Sequence, residues 1–300
     1  MILSKLSKLV VIGVGLIGGS FALALRRADL VNYVVGIGRS RENMRQALEL
    51  GIIDEYSNDI VAALSGADLV LLAAPVKQTA RIMQQIAPHL ENYAVISDVG
   101  STKLGVVEVA RTYLDKHINR FIPAHPIAGI EFNGAKAAFA ELFQNKRVVL
   151  TPLQENDQHA VDYVEALWQR CGAKISSMSP EQHDQMLAVI SHLPHMLAFS
   201  LMQHIQTQSL SLSNGDPLEM LQLAGTSLEG MTRIAASSPE MWRDICLENK
   251  AALLAQIEAY QQELSILQAM LSKSDGESLQ KLFLEAHTLK KKWMVSRNKT

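Results

Sequence analysis

The sequence predicts an α/β fold in which a doubly wound parallel sheet is followed by an all-α domain. Three observations predict it: apolar runs alternate with helical patterns in the first half, a glycine-rich turn follows the first run, and no strand-like run follows residue 178. Alternation of this kind is typical of βαβ units, whose strands are covered by helices on both faces. We therefore predict an N-terminal domain over 1–178 and a helical domain over 179–300.

Six runs in the first half have the composition of strands. The run DLVLLAA is apolar throughout, as expected for a strand buried on both faces of a sheet. Their alternation with helical segments predicts βαβ units and a parallel sheet. The runs are KLVVIG at 8–13, YVVGIG at 33–38, DLVLLAA at 68–74, YAVISD at 93–98, RFIPAH at 120–125 and RVVLTP at 147–152.

The helical half begins at SPEQHDQM, where Ser179 is suited to cap a helix and Pro180 to occupy its first turn. Pro194 lies inside this helix and is expected to kink it, because proline donates no backbone hydrogen bond. Apolar residues lie on several sides of 187–205, so we expect a homodimer formed through the helical domain. The predicted helices cover 180–208, 217–233, 239–270 and 275–293.

Composition disfavours several classes of protein. The 300 residues are 48% hydrophobic and 19% charged, which is typical of a folded globular chain. A net charge of −2 gives no basic field for nucleic acid. Glycines interrupt the apolar stretch after residue 9, whereas a membrane span needs roughly 20 apolar residues, so we expect no membrane partner. Cys171 and Cys246 have neither metal-ligand nor disulfide spacing, which favours a cytoplasmic location.

A glycine motif lies between the first predicted strand and the following helix. Gly13, Gly15 and Gly18 form G-x-G-x-x-G in VVIGVGLIGGS, a context typical of a Rossmann-type dinucleotide-binding turn. The first glycine allows a tight turn, the second lets the backbone approach a pyrophosphate, and the third lets helix and strand pack closely. The helix start, with Leu16 and Ile17, is expected to offer N–H groups to the phosphates.

The residues after the second predicted strand bear on the choice of dinucleotide. In NAD-binding proteins an acidic residue about 20 positions beyond the motif binds the ribose. Here Gly38 occupies that position and is followed by Arg39, Ser40 and Arg41. Arginine suits a phosphate by charge and by its planar fork of donors, so we expect NADP to be preferred, with NAD possible. The alternative is that both arginines are solvated residues at a helix start.

Other candidate residues follow predicted strands, at the edge where parallel sheets bind ligands. They are Pro75 in AAPV, Ser101 in SDVGSTK and His125 in PAHPIAG. A neutral imidazole beside a nicotinamide can accept a proton as hydride leaves, although a histidine in this position is often only a structural hydrogen-bonding group.

The helical half adds a pair of histidines and a cation. His192 and His195 are three residues apart, but no carboxylate or thiol is placed to complete a metal site, so we expect no metal. Arg233 and Trp242 lie in MTRIAASSPEMW, where the arginine suits a substrate carboxylate and the tryptophan a flat ring. Either can equally be a surface arginine or a core tryptophan. The residues alone indicate an NAD(P)-dependent oxidoreductase acting on a small anion.

The motifs GVGLIGGS, SDVGSTK, HPIAG, SHLPH and TRIAxSxPxMW, in this order, resemble those of the prephenate and arogenate dehydrogenases of tyrosine biosynthesis. The resemblance extends from about residue 8 to residue 245. It implies a dimer formed by the helical domain. It also implies oxidative decarboxylation of prephenate to 4-hydroxyphenylpyruvate with hydride transfer to NAD(P), or, as alternatives, conversion of arogenate to tyrosine or activity on both substrates.

The resemblance also implies roles for individual residues. His125 would bind the ring C4 hydroxyl and take its proton, and Ser101 would orient the same hydroxyl. Arg233 would bind a substrate carboxylate. The pocket would further be lined by His195 and Trp242, with Glu131 of HPIAGIE near its entrance.

The sequence departs from the family pattern at one position, and two other classes of protein remain as alternatives. Family members often carry an acidic residue three positions before the TRIA arginine, where this sequence has Gly230. A β-hydroxyacid dehydrogenase would typically need a lysine in its helical half, and the segment 180–208 has none. A non-catalytic NADP-binding regulator is disfavoured by the presence of Ser101, His125 and Arg233 together.

Overall fold

The computed structural model describes residues 4–130, 132–213 and 215–298. The chain divides into two compact units, Met1–Lys250 and Ala251–Thr300. Each unit is described by itself.

The first unit contains a parallel sheet. Its strands are β1 (Leu6–Ile12), β2 (Val31–Ile37), β3 (Glu55–Tyr56), β4 (Leu69–Leu72), β5 (Val95–Asp98) and β6 (Phe121–Ile122). They lie in the order β3-β2-β1-β4-β5-β6, which confirms the predicted doubly wound architecture. The direction of winding reverses between β1 and β4, and ligands of such sheets bind beyond the carboxyl ends of the strands at this point.

Helices cover both faces of the sheet. They are α1 (Leu16–Arg27), α2 (Arg41–Glu49), α3 (Ile60–Leu64), α4 (Thr79–Ile86), α5 (Leu104–Tyr113) and α6 (Gln158–Arg170). Alternate β1 residues belong to different cores: Leu9 and Val11 pack in one cluster, Val10 and Ile12 in the other. This explains why the central strands are apolar throughout, because successive side chains of a strand point to opposite faces.

A second sheet of three strands, which the sequence did not predict, lies within the same unit. It consists of β7 (Ala124–Ile127), β8 (Arg147–Leu150) and β9 (Lys174–Ser177), with β7 antiparallel to β8. The predicted runs at 120–125 and 147–152 therefore do not both continue the parallel sheet. The first run is divided at Pro123, which has no N–H to donate to a strand ladder.

The rest of the first unit is helical. It contains α7 (Pro180–Leu187), α8 (Leu193–Leu212), α9 (Pro217–Leu221), α10 (Thr226–Thr232) and α11 (Pro239–Glu248). Ser179 and Gln182 cap the start of α7 reciprocally, as the sequence predicted for Ser179. The expected irregularity near Pro194 is a single wide turn at Ala188–His192, immediately before α8. The predicted helix 217–233 is instead two short helices on either side of Gly225.

The predicted helix 239–270 is also divided, since α11 ends before Asn249 and α12 (Lys250–Ser272) begins beyond it. The second unit contains most of α12 together with α13 (Gly276–Asn298). Asp275 begins α13 by accepting a hydrogen bond of 3.0 Å from the N–H of Ser278. Many apolar side chains of this unit are exposed, including those of Leu271, Phe283 and Leu284.

Candidate active site

A cavity of about 830 Å³ lies beyond the carboxyl ends of β1, β2 and β4. Five of the residues that the sequence predicted for a dinucleotide line it: Gly13, Gly15, Arg39, Ser40 and Pro75. The cavity thus occupies the place where sheets of this topology bind nucleotides.

Four other predicted dinucleotide residues are not among those lining this cavity. Leu16 and Ile17 are partly buried and pack against the core, while Arg41 is exposed in the first turn of α2. Gly18 lies under the turn, where an added Cβ would be 2.5 Å from the carbonyl oxygen of Gly13. The lack of a side chain at Gly18 therefore allows α1 to pack closely against the strand and the turn.

The other two glycines of the motif differ in the space around them. Gly13 has φ +104°, and a Cβ there would lie 2.5 Å from the carbonyl oxygen of Ala73, so only glycine fits this turn. A Cβ at Gly15 would meet no atom within 4 Å. The space beside Gly15 is therefore open, as needed where backbone N–H groups at a helix start approach a pyrophosphate.

Asn43 and Arg81 belong to this cavity although the sequence analysis did not select them. The Asn43 amide donates to the carbonyl oxygen of Val14 at 2.6 Å and accepts from the N–H of Ala135 at 2.8 Å. It therefore ties the glycine-rich turn to a segment far along the chain. No local sequence signal identifies these two residues, because their proximity to the turn arises only on folding.

A second cavity, of about 510 Å³, is lined on one side by the end of β5 and by β7, and on the other by the helices after residue 187. The candidate residues for substrate that the structure describes all line it: Ser101, His125, His195, Arg233 and Trp242. Glu131 lies outside the described residues. An imidazole and a guanidinium from distant parts of the sequence thus face one cavity.

His125 is half-buried on β7 and takes part in a row of hydrogen-bonded groups. Its Nδ1 lies 2.8 Å from Nε2 of His183, and Nδ1 of His183 lies 2.7 Å from Oδ1 of Asp184. Burial, together with His183, Lys103 and His192, holds the pKa of His125 well below its ordinary value. The His125 imidazole is therefore neutral near pH 7 and able to accept a proton.

Asp184 is buried on α7 but has several donors. Its two carboxylate oxygens accept from the N–H groups of Lys103 at 2.8 Å and Leu104 at 2.9 Å. Burial opposes ionisation, but these bonds and the one from His183 outweigh it and hold the pKa of this carboxyl below its ordinary value. Asp184 is therefore a carboxylate that caps the start of α5.

His195 and Trp242 form another wall of the cavity. Their rings are stacked with centroids 3.5 Å apart and planes 20° apart. Nδ1 of His195 donates to the carbonyl oxygen of Ser191 at 2.8 Å, which leaves Nε2 as an acceptor. Nε1 of Trp242 is buried and has no hydrogen-bond partner among the described residues. The wall thus offers an acceptor at Nε2 of His195.

His192 lies beneath this wall and is buried. Nδ1 of His192 accepts a hydrogen bond from the Asn249 amide at 3.0 Å, and burial lowers the pKa of His192 to about 4. Its neutral ring suits a role in packing. Within the ranges that the structure describes, no group of three or more histidine, cysteine, aspartate or glutamate side chains is arranged to hold a metal ion.

A dinucleotide-type cavity at the reversal point of the sheet, together with a second cavity containing a neutral histidine and an arginine, defines an oxidoreductase that uses a nicotinamide cofactor. The family model described as "Prephenate dehydrogenase, nucleotide-binding domain" matches residues 21–177, and that described as "Prephenate dehydrogenase, dimerization domain" matches residues 179–285. The chain therefore belongs to the prephenate dehydrogenase family.

Individual relatives agree with this membership. A cyclohexadienyl dehydrogenase of Zymomonas mobilis is 37% identical over 279 residues, covering 92% of each chain. A prephenate dehydrogenase of Bacillus subtilis is 37% identical over 275 residues, covering 91% of this chain and 72% of the relative. The crystal structure of A. aeolicus prephenate dehydrogenase in complex with hydroxyphenyl propionate and NAD+ is similar, with a TM-score of 0.87 and 33% identity, covering 95% of this chain and 97% of the other.

Proposed function

We propose that this enzyme catalyses the oxidative decarboxylation of prephenate to 4-hydroxyphenylpyruvate. The observation that carries the proposal is the convergence of Ser101, His125 and Arg233 on one cavity. Prephenate has a ring hydroxyl that must lose a proton and carboxylates that need a cation. The cavity supplies a neutral imidazole for the first and a guanidinium for the second.

The chemistry requires few protein groups. A bound oxidised nicotinamide supplies the hydride acceptor for ring carbon C4. His125 accepts the proton of the C4 hydroxyl, and Ser101 orients that hydroxyl by a hydrogen bond. Loss of the ring carboxylate as CO₂ then leaves an aromatic phenolate, which takes a proton back from His125 to become the phenol, and aromatisation drives the reaction forward. The protein therefore has to hold the ring in place and accept one proton.

The remaining cavity residues are proposed to hold the rest of the substrate. Arg233 binds a carboxylate through its planar fork of donors. The stacked rings of His195 and Trp242 pack against the substrate. Glu131 is proposed to lie near the entrance, as the HPIAGIE motif implies.

The second candidate reaction is conversion of arogenate to tyrosine, alone or beside the first. The two substrates differ in the side chain, which carries a keto group in prephenate and an amino group in arogenate. Gly230 stands where family members often have an acidic residue, so this chain has no carboxylate at that position to pair with an amino group. This observation favours prephenate.

The test is an assay with both substrates crossed against NAD+ and NADP+, following the absorbance of the reduced nicotinamide. A larger kcat/KM with prephenate than with arogenate supports the proposal, and the reverse assigns the enzyme to arogenate. Failure to reduce either coenzyme with either substrate would favour a non-catalytic nucleotide-binding protein.

NADP+ is the proposed preferred coenzyme, with NAD+ also used. The support is that Arg39 and Ser40 line the first cavity, where an arginine can bind a 2′-phosphate. Arg39→Ala is expected to raise KM for NADP+ and leave KM for NAD+ unchanged. Arg45→Ala, an exposed position further along α2, is the control. Equal effects of Arg39→Ala on both coenzymes would remove Arg39 from 2′-phosphate binding.

We propose that the boundary between the two domains lies at 178/179. We also propose that the enzyme is a homodimer formed through residues 179–300. By length and composition alone the run Pro180–Leu212 would also pass as a membrane span, and only 28% of its most apolar window is buried. Since a dimerization-domain model matches this region, we propose that a second copy covers the exposed apolar side chains, such as those of Val189 and Ile190. An active, folded monomer in sedimentation experiments would contradict the dimer.

We further propose a cytoplasmic location without nucleic acid or membrane partners.

A further inference from the structure

We infer that His183 and Asp184 are positioning residues for the proposed reaction, because they fix which ring nitrogen of His125 carries the proton. The inference rests on the proposed role of His125 as the base. It concerns two residues that lie next to each other on α7, far in sequence from β7.

The hydrogen bonds of this row determine the tautomers. The Asp184 carboxylate can only accept, so Nδ1 of His183 carries a proton and donates to it over 2.7 Å. Nε2 of His183 is assigned as the acceptor, because a proton on it would make Nδ1 of His125 the acceptor and would leave the proton of the neutral His125 ring on Nε2, where that ring could not act as the base. Nδ1 of His125, 2.8 Å away, then donates to it. The consequence is that Nε2 of His125 has no proton and presents a lone pair.

Asp184, at the end of this row of hydrogen bonds, is held in place by several backbone and side-chain groups. Asp184 accepts two backbone N–H groups at the start of α5, and its own carbonyl oxygen accepts from the Asn249 amide at 2.8 Å. His183 is completely buried and meets His125 edge-on, with ring centroids 5.0 Å apart. Asp184 cannot reorient without breaking its bonds to the start of α5, nor can His183 without breaking its bonds to Asp184 and His125, so the proton arrangement is built into the fold.

The row also bears on the charge that forms during reaction. When Nε2 of His125 takes the substrate proton, the ring becomes an imidazolium whose Nδ1–H still donates to His183. His183 in turn donates to the carboxylate of Asp184, which polarises the row in the direction that stabilises the cation. His183, Lys103 and His192 all lower the pKa of His125 and therefore oppose this charge. Within this row, the carboxylate of Asp184 is the group that favours the imidazolium.

A packing role for His183 would have a different signature. Loss of packing lowers stability and disturbs binding in general, whereas loss of the acceptor changes the proton position on His125 alone. His183→Phe keeps a ring but removes the acceptor. His183→Gln keeps an acceptor, since its amide oxygen reaches about as far as Nε2. Asp184 is a less suitable site for substitution because it also binds two backbone N–H groups.

The experiment compares both His183 variants with the wild-type enzyme as full chains with coenzyme bound. His183→Phe is expected to lower kcat with prephenate by about 10- to 100-fold, short of the roughly 10²–10⁴-fold that a general base contributes. KM for prephenate and for the coenzyme should remain within about twofold. His183→Gln should recover part of kcat. His117→Phe, at another buried histidine, is the matched control and should leave kcat unchanged.

A second readout is the nitrogen chemical shifts of ¹⁵N-labelled histidine, with the His125 signals assigned by their loss in His125→Asn. We expect Nδ1 of His125 to be protonated and Nε2 bare in the wild-type enzyme, and this pattern to be lost in His183→Phe. The opposite tautomer in the wild type, or an unchanged kcat in His183→Phe, would overturn the inference. Those results leave the proposed function intact if kcat is still strongly reduced in His125→Asn, whereas wild-type turnover in His125→Asn would instead remove the base from the proposed function.

Discussion

The ammonium group of Lys103 pairs with the carboxylate of Asp98 in the interior of the protein, where the two side chains are 0% and 4% exposed. The same ammonium donates to the carbonyl oxygen of Ala124 at 2.8 Å, next to His125. The backbone N–H of Lys103 meanwhile donates to Asp184. Lys103, in the SDVGSTK motif, thus binds both β7 and the carboxylate of Asp184, which ends the row of hydrogen bonds from His125 through His183.

Lys103→Met is therefore expected to destabilise the protein strongly. It leaves the carboxylate of Asp98 buried without its partner, and breaking a buried ion pair in this way costs about 3–5 kcal/mol. The free energy of unfolding, measured by urea denaturation, should fall by that amount. Arg45→Met, which breaks an exposed pair with Glu42, should leave the midpoint unchanged. A similar small effect for Lys103→Met would show that Asp98 finds other partners.

The features of the fold that the sequence predicted well are those that depend on local motifs. The G-x-G-x-x-G turn and the central strands depend on residues close in sequence, so the doubly wound parallel sheet and the place of Gly13 and Gly15 beside a ligand cavity could be predicted from them. The second sheet was not predicted, because the residue pattern within β7 and β8 does not show that these two strands pair antiparallel with each other. A proline inside a strand-like run was the available signal.

The row of hydrogen bonds formed by His125, His183 and Asp184 was not predicted, because His125 is distant in sequence from the other two residues. His125 and His183 are separated by 58 positions, and Asp184 and Lys103 by 81. The run SPEQHDQM predicts only a helix start, and its adjacent histidine and aspartate prove to be buried ionisable residues. Ser101, Arg233 and Trp242 line one cavity, and the roles that the family motifs imply for them there stay predictions.

Gly15→Ala should weaken coenzyme binding without affecting the fold. A Cβ at Gly15 meets no protein atom within 4 Å, so it would project only into the space proposed for the pyrophosphate. We expect KM for NADP+ to rise about 10- to 100-fold, the equivalent of an overpacking cost of about 1–3 kcal/mol. The thermal midpoint without coenzyme should not fall. Gly276→Ala, at the start of α13, is the control, and an unaltered KM in Gly15→Ala would place the pyrophosphate elsewhere.

His125→Asn should remove the base while keeping a polar group in the cavity. We expect kcat to fall by about 10²–10⁴-fold with little change in KM for prephenate, because the base acts mainly in the transition state. Steady-state kinetics at saturating coenzyme measure both constants. His204→Asn, at an exposed histidine of α8, is the control. Wild-type turnover in His125→Asn would exclude this histidine from the reaction.

Arg233→Ala should act on binding of the substrate. The guanidinium is the cation of the second cavity proposed for a carboxylate, and a hydrogen bond to a charged group contributes about 1.5–3 kcal/mol. KM for prephenate should therefore rise about 10- to 100-fold, while KM for the coenzyme stays constant. Arg170→Ala, at the end of α6, removes an exposed arginine away from the cavity and should be silent. An increase in coenzyme KM alone would reassign Arg233.

The pH dependence of kcat/KM should show its acid limb below the ordinary pKa of histidine. Burial is the main cause that lowers the pKa of His125, and His183, Lys103 and His192 add to it. A base acts only when neutral, so activity is lost as the pH falls through this lowered pKa, and above it the imidazole remains competent. We expect kcat/KM for prephenate to change little from about pH 7.5 down to about pH 6.5, the model-peptide value for histidine, and to fall only at lower pH.

Measurement of kcat/KM for prephenate across this range, with coenzyme saturating, tests the expectation. The residual activity of His125→Asn provides the control, since the acid limb should disappear with the imidazole. Asp184 stays ionised throughout because its pKa is held below its ordinary value. A limb centred above about pH 6.5 that vanishes in His125→Asn would mean that the row to Asp184 stabilises the imidazolium more than burial opposes it.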